Sequence, residues 1–180
     1  MYTNQVQKHK TFISFYHYDD QGYKNYLDRC FRGIEINKSV NDGEYDPDNS
    51  DDYIKRLIRE EKVSDSSVIV VLVGPNTRNR KHVDWEIYAG LEQRIKGNSG
   101  LVGVLLPEFP ITADNSYRYE DLPGRLADNV RSGYADMYTW NFFINNYFAI
   151  VDDAFQNRIK RRNKIDNSRL QMQRNLGINE

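Results

Sequence analysis

The chain has 180 residues, of which 39% are hydrophobic and 28% charged, enough for one globular domain that needs no metal or disulfide. Its 25 basic and 26 acidic residues give a net charge of −1, so the overall charge favours neither nucleic acid nor a membrane as a partner. One cysteine, Cys30, excludes an internal disulfide, and no segment is long and apolar enough for a signal peptide or a membrane span. We therefore expect a cytoplasmic protein in which Cys30 is a small buried residue.

Five segments of the first 140 residues have the composition of strands. The segments "KTFISFY" (10–16), "GIEIN" (33–37) and "GYADMYTW" (133–140) predict the first, second and fifth strands. The third and fourth are the continuous apolar runs "VIVVLVG" (68–74) and "GLVGVLLP" (100–107). Apolar runs without alternation indicate strands that are covered on both faces, as in a parallel sheet.

Apolar residues at helical spacing follow the first three strands, at positions 23–31, 54–58 and 83–95. Alternation of strand and helix predicts a doubly wound α/β domain over residues 1–140. Ser50 or Asp51 is positioned to cap the second helix. Residues 141–180 predict a last helix that packs on the domain, followed by a basic end that projects or frays.

In a doubly wound sheet, ligands bind beyond the carboxyl ends of the strands. Phe15, Tyr16 and His17 leave the first predicted strand at that edge. Residues 38–50 leave the second strand, and residues 74–80 leave the third. We therefore expect these segments and the helix that begins near Glu86 to meet at one rim.

Several kinds of site are not supported by the sequence. The acidic stretch "NDGEYDPDNSDD" (41–52) has Pro47 and Tyr53 where a calcium loop needs glycine and glutamate, and the three histidines lack zinc-site spacing. Ser14 lies inside a predicted strand without the G-x-S-x-G turn of a hydrolase, and phosphate-binding glycine loops are absent. We predict no metal site and no bound cofactor.

The stretch "RKHVDWEI" (80–87) leaves Glu86 as the candidate catalytic residue. A glutamate in the first turn of a helix is explained equally by the helix dipole. Val83, Ile87 and Leu91 define the buried face, however, and Glu86 lies about 100° from Ile87, at the border of that face. Trp85 is either a wall for a flat ligand or a packing residue.

The strings "TFISFYHYDD" and "SVIVVLVGPNTRNRKHVDWEI" are similar to the opening strand and to the third strand and following helix of bacterial TIR-like domains, the family that includes the TIR subunit of Thoeris anti-phage systems. The resemblance covers residues 10–138. It departs from many TIR domains at Tyr16, where a basic residue is common, and in the "VDWEI" context of the glutamate.

The resemblance implies a flavodoxin-like domain with a five-stranded sheet that cleaves NAD+, its substrate, at the bond between nicotinamide and ribose. Glu86 matches the family's catalytic glutamate. The matching substrate-binding positions are Phe15, Tyr16 and His17 at the first-strand exit, Asn37, Ser39 and Asp42 at the second-strand exit, and Trp85.

In Thoeris-like systems the product is commonly a cyclic ADP-ribose isomer that activates a separate effector. The resemblance therefore implies a producer of a diffusible nucleotide signal, triggered by phage and able to self-associate through TIR surfaces. The alternative is a non-catalytic TIR module that recruits partners, because a fold does not fix a function. Retention of Glu86 favours the enzyme.

Overall fold

A computed structural model describes residues 7–31, 36–37, 49–92, 97–114 and 116–177. Its sheet has five parallel strands in the order β2-β1-β3-β4-β5. Their bounds are Thr11–Ser14 (β1), Ile36–Asn37 (β2), Val68–Val73 (β3), Gly100–Leu105 (β4) and Asp136–Thr139 (β5). The predicted parallel α/β sheet is therefore confirmed.

The two central strands explain why the apolar runs of the sequence do not alternate. All six residues of β3 and all six of β4 are buried, and the strands pair in register from Val68 opposite Gly100 to Val73 opposite Leu105. One apolar cluster contains Phe12, Ile69 and Val71, and a second contains Ile13, Val68 and Val70. Side chains of successive residues thus enter two cores, one on each face of the sheet.

Helices cover both faces of the sheet. In the described residues they are α1 (His17–Cys30), α2 (Asp51–Leu57), α3 (Lys81–Leu91), α4 (Gly124–Arg131), α5 (Trp140–Asn145) and α6 (Tyr147–Lys160). The core on the side of α2, α3 and α4 contains Phe12, and the core on the side of α1, α5 and α6 contains Ile13. A hydroxyl cap begins α2, because the side chain of Ser50 accepts a hydrogen bond from the backbone N–H of Tyr53.

Two local expectations differ from the structure. The sequence analysis does not identify α4, whose eight residues include the fully buried polar side chains of Arg125 and Asn129. Cys30 was predicted to be buried, but it is exposed. It lies in the last turn of α1, about 60° round the helix from the buried Leu27, and helical spacing alone does not locate the edge of the apolar face.

The basic end of the chain does not project as a frayed helix. After α6 it turns back, and residues 166–176, here called the C-terminal strap, lie across α3 and α4. Arg169 makes a two-pronged ion pair with Asp128 of α4, with distances of 2.6 and 2.8 Å between nitrogen and oxygen. Specific carboxylate and backbone partners therefore hold a segment whose composition suggested solvent exposure.

Candidate functional site

The strand order places the reversal of chain direction between β1 and β3. From β1 the sheet extends to β2 on one side and to β3 on the other, so the exits of β1 and β3 border the crevice where doubly wound domains bind ligands. Ser14 ends β1, and the loop from Gly74 to Arg80 connects β3 to α3. The predicted convergence of these two exits is confirmed.

Glu86 lies in the second turn of α3 and is 1% exposed. Its Oε2 accepts a hydrogen bond of 2.5 Å from the hydroxyl of Ser14. Ser14 shares the orientation of Phe12, which packs in the core on the α3 side, because residues two apart in a strand point the same way. A buried carboxylate that accepts a hydrogen bond from a strand is fixed in position, and its field is little weakened by water.

Glu86 is more deeply buried than its position at the border of an apolar face indicates. From Val83 to Leu91, Tyr88 is the only residue of α3 that is not buried. The outer side of the helix is covered by the strap, in which the backbone N–H of Met172 donates to Asp84 at 2.9 Å. This contact joins residues 88 positions apart, so helix periodicity does not reveal it.

Trp85 faces the strap. Its Nε1–H donates to the carbonyl of Met172 at 2.9 Å, and Lys55 and Lys81 lie over its ring. The residue is 1% exposed and borders a cavity of about 300 Å³ between α2 and α3, whose lining does not include Glu86. In this structure Trp85 therefore packs against the strap, and its role in substrate binding stays a prediction.

The three predicted residues of the first-strand exit have different surroundings. Phe15 is buried in the core on the α1 side of the sheet, away from α3. His17 begins α1, packs on Phe15 with ring centres 4.0 Å apart, and shares a hydrogen bond of 2.9 Å with Gln21. Tyr16 is the residue whose ring faces the β3 exit, where it meets Arg80.

Arg80 is a residue of the rim that the sequence analysis missed. It immediately precedes α3, and its guanidinium carbon lies 3.8 Å from the centre of the Tyr16 ring. The available signal was its place at the end of the β3 exit loop, six residues before Glu86. The Tyr16–Arg80 contact brings the exits of β1 and β3 together.

A second missed residue, Asp20, lies under the β3 exit. It is 3% exposed, and the hydroxyl of Thr77 donates to its Oδ2 at 3.3 Å. Burial, opposed by the Thr77 hydrogen bond and increased by the nearby charge of Asp19, raises the pKa of Asp20 from 3.8 to about 7. The side chain packs against Gly74 so closely that a Cβ there would lie 2.5 Å from Oδ1.

Of the three residues predicted at the second-strand exit, one lies among the described residues. Asn37 is the last residue of the short strand β2, and Ser39 and Asp42 lie outside the described residues. Among the described residues, no group of three or more histidine, cysteine, aspartate and glutamate side chains has the geometry of a metal site. The described helices also include none with the length and apolarity to cross a membrane.

Comparison with known proteins identifies a family. The family model described as "Thoeris protein ThsB, TIR-like domain" matches residues 12–109, more than half of the chain. No curated protein matches. Among solved structures, the chain is similar to the TIR domains in "Structure of the activated Roq1 resistosome directly recognizing the pathogen effector XopQ", with a TM-score of 0.41 and 16% identity over 88% of this chain and 84% of that chain.

Proposed function

The chain belongs to the family of TIR-like domains of the Thoeris protein ThsB, and on this premise we propose that it cleaves NAD+ at the bond between nicotinamide and ribose. Glu86 is the catalytic residue of this proposal. The observation that carries it is the hydrogen bond from Ser14, which fixes a buried carboxylate at the crevice where the sheet changes direction.

The chemistry of the bond explains the need for such a carboxylate. When nicotinamide leaves, positive charge develops on the ribose, as in glycoside hydrolysis. A fixed negative charge in a site of low dielectric stabilises that transition state, because it needs no reorganisation at the moment of reaction. The hydroxyl of Ser14 donates to Oε2 of Glu86, so the carboxylate is already oriented before the substrate binds.

The burial of Glu86 has a consequence for regulation. Because the residue is 1% exposed, a ribose reaches its carboxylate only when the segments around it open. We propose that this opening is coupled to self-association or to a phage-derived trigger, so that the resting protein is nearly silent. The segment 38–48, which contains Ser39 and Asp42, is proposed to contribute to the substrate site.

The product depends on which nucleophile reaches the ribosyl cation. Water gives linear ADP-ribose, whereas a hydroxyl or ring nitrogen of the same molecule gives a cyclic isomer, so exclusion of water favours cyclisation. We propose that the segments that open to admit the ribose close again over the bound substrate and exclude water. We therefore propose a cyclic ADP-ribose-type product that diffuses to a separate effector in anti-phage defence.

The experiment compares wild-type protein with Glu86→Gln in lysates of infected and uninfected cells supplied with NAD+. Nucleotides are analysed by liquid chromatography and mass spectrometry. Glu92→Gln is the matched control, because Glu92 follows the same helix and is only partly exposed. We expect a product with the mass of cyclic ADP-ribose from wild type and Glu92→Gln, and none from Glu86→Gln.

Two other results are informative. Equal turnover in Glu86→Gln and wild type would remove the catalytic role of Glu86. A lack of any product in every sample, while the protein still protects cells from phage, would favour the non-catalytic interaction module. Circular dichroism of the purified variants establishes that the loss of product is not a loss of fold.

A further inference from the structure

The guanidinium of Arg80 has an unusual environment. Its Nε and Nη2 atoms are buried, and neither has a hydrogen-bonding partner in the described part of the chain. The fully buried guanidinium of Arg125 shows the ordinary situation, because all three of its nitrogens donate to Asp84, Asn167 or the carbonyl of Arg169. Arg80 instead stacks on the ring of Tyr16.

Stacking leaves the N–H groups of Arg80 available. A guanidinium over an aromatic ring is attracted through its flat face, whereas its N–H bonds lie in its own plane. Buried donors without acceptors are rare in folded proteins, because each loses its hydrogen bonds to water without replacement. The two orphaned atoms of Arg80 therefore indicate a missing acceptor that lies in the plane of the guanidinium.

The position of Arg80 limits the kind of acceptor. It follows the exit of β3 and contacts the exit of β1, so it borders the same crevice as Glu86. Arg80 is the N-cap of α3, six positions before Glu86, which corresponds to about 9 Å along the helix axis. The acidic residues Asp19, Asp20 and Glu108 also lie near this edge and disfavour an anion, whereas Arg78 and Lys81, the basic neighbours of Arg80, are paired with Asp121 and Asp51. Arg80 is thus placed to attract one.

We propose that Arg80 binds the diphosphate of the dinucleotide, an assignment that rests on the proposed function. In NAD+ the diphosphate is joined to the nicotinamide-bearing ribose through one methylene group, so a long side chain about two helical turns from Glu86 reaches it. A guanidinium donates two parallel hydrogen bonds to phosphate oxygens, which ammonium groups do not match. Tyr16 holds the guanidinium plane while the site is empty.

The first test separates substrates with and without a diphosphate. Arg80→Gln and Arg80→Lys are assayed on NAD+ and on nicotinamide riboside, under the conditions that activate the wild type. Arg78→Gln is the matched control, because Arg78 lies in the same loop and pairs with Asp121 and the carbonyl of Glu120. We expect Arg80→Gln to raise KM for NAD+ by about 10- to 100-fold with little change in kcat.

Arg80→Lys retains the positive charge but loses the two parallel N–H donors of the guanidinium. Its KM for NAD+ is therefore expected to lie between those of wild type and Arg80→Gln. Arg78→Gln is expected to remain within about 2-fold of wild type on NAD+. Turnover of nicotinamide riboside is expected to be the same in all four proteins. Equal losses on both substrates, accompanied by a lower Tm of Arg80→Gln, would assign Arg80 a structural role and overturn the proposal.

The second test does not depend on turnover. Glu86→Gln and the double variant Arg80→Gln/Glu86→Gln are titrated with ADP-ribose by calorimetry, and inorganic pyrophosphate is titrated separately. We expect the double variant to bind ADP-ribose at least about 10-fold more weakly, and pyrophosphate to bind neither protein at concentrations that saturate with ADP-ribose.

The two tests fail in different ways. Equal ADP-ribose affinity of the two proteins would overturn the role of Arg80. Tight pyrophosphate binding would show that the site takes a free anion rather than a dinucleotide. If Glu86→Gln binds ADP-ribose more tightly than the double variant but wild type cleaves no NAD+ under any trigger, the assignment of Arg80 stands and the proposed enzymatic function fails.

Discussion

Ser14 and Glu86 are 72 positions apart, and the hydroxyl of one donates a 2.5 Å hydrogen bond to the carboxylate of the other in the interior of the domain. The first is the last residue of β1, and the second lies in the second turn of α3. If Glu86 stabilises the ribosyl cation, Ser14 is a positioning residue, because its hydroxyl sets the direction of the carboxylate.

We predict that Ser14→Ala lowers kcat for NAD+ cleavage by about 10- to 100-fold with a small change in KM, because small displacements of a catalytic group are costly. The variant should also lose about 1–3 kcal/mol of unfolding free energy, since an oxygen of Glu86 loses its donor. Steady-state kinetics and urea unfolding measure the two effects.

The control for Ser14→Ala is Thr11→Val. Thr11 is equally buried in β1 and its hydroxyl donates to the carbonyl of His9, so the change also removes a buried hydroxyl. We expect Thr11→Val to lose stability without a comparable loss in kcat. A similar fall in kcat in both variants would show that the activity follows stability and that Ser14 has no special role.

The fold could be predicted from the sequence where its causes are local. The runs from Val68 to Val73 and from Gly100 to Leu105 are apolar at every or nearly every position, because both faces of these strands are covered. This pattern can be recognised from the residues of each strand alone. The edge strand β2 is described over only two residues. For Cys30 the local pattern failed, since burial depends on which neighbour covers each face.

The site could be predicted only in part. The position of Glu86 at the start of a helix after a buried strand is a local feature, but its Ser14 partner is not. Arg80 and Asp20 were missed because their significance lies in an absent hydrogen bond and in burial, neither of which has a sequence pattern. The strap over α3 was missed because its contacts pair distant residues through backbone groups.

The second prediction concerns the pH dependence of stability. Folding raises the pKa of Asp20 from its ordinary value of 3.8 to about 7, so the folded protein retains a proton that the unfolded chain has lost. The sign follows: stability falls as the pH rises from about 4 to about 7, by up to about 4 kcal/mol. Asp19 and Glu108 are the charged groups that reinforce this shift.

Asp20→Asn removes the titrating group while it preserves the volume. We expect its unfolding free energy, relative to that of wild type, to be about 2–4 kcal/mol higher at pH 8 than at pH 4.5, because only the wild type loses stability as Asp20 ionises. Urea unfolding at the two pH values measures this, and most other titrating groups cancel in the difference between the proteins. A difference that does not change with pH would show that Asp20 titrates normally.

The third prediction concerns the ion pair that joins α3, α4 and the strap. The guanidinium of Arg125 is fully buried and its Nε donates to Asp84 at 2.9 Å. Asp84→Asn leaves that charge without its carboxylate, so we expect a loss of about 3–5 kcal/mol of unfolding free energy. Arg169→Gln, which breaks the half-exposed pair with Asp128, should cost only about 1 kcal/mol.

Unfolding in urea at low and high salt completes this comparison. The loss in Asp84→Asn should persist at about 1 M salt because the pair is shielded from the solvent, whereas the loss in Arg169→Gln should shrink. The double variant Asp84→Asn/Arg125→Met should recover part of the lost stability, since no buried charge remains unpaired. A loss in the double variant equal to the sum of the losses in Asp84→Asn and in Arg125→Met would mean that Asp84 and Arg125 are not coupled.

The fourth prediction tests whether the last helix is an integral layer of the domain. Gly100 begins β4 beneath α6, where a Cβ would lie 2.2 Å from the carbonyl oxygen of Ala154. A backbone atom cannot rotate away, so Gly100→Ala must displace α6 from the sheet, and we expect a loss of at least about 3 kcal/mol.

Gly22→Ala is the matched control, because it lies inside α1 with no atom within 4 Å of the new methyl group. Alanine is the better helix former, so that variant should gain about 0.5–1 kcal/mol. Thermal unfolding of both variants in one buffer gives the comparison. A gain in Gly100→Ala would show that α6 does not pack on β4 in solution.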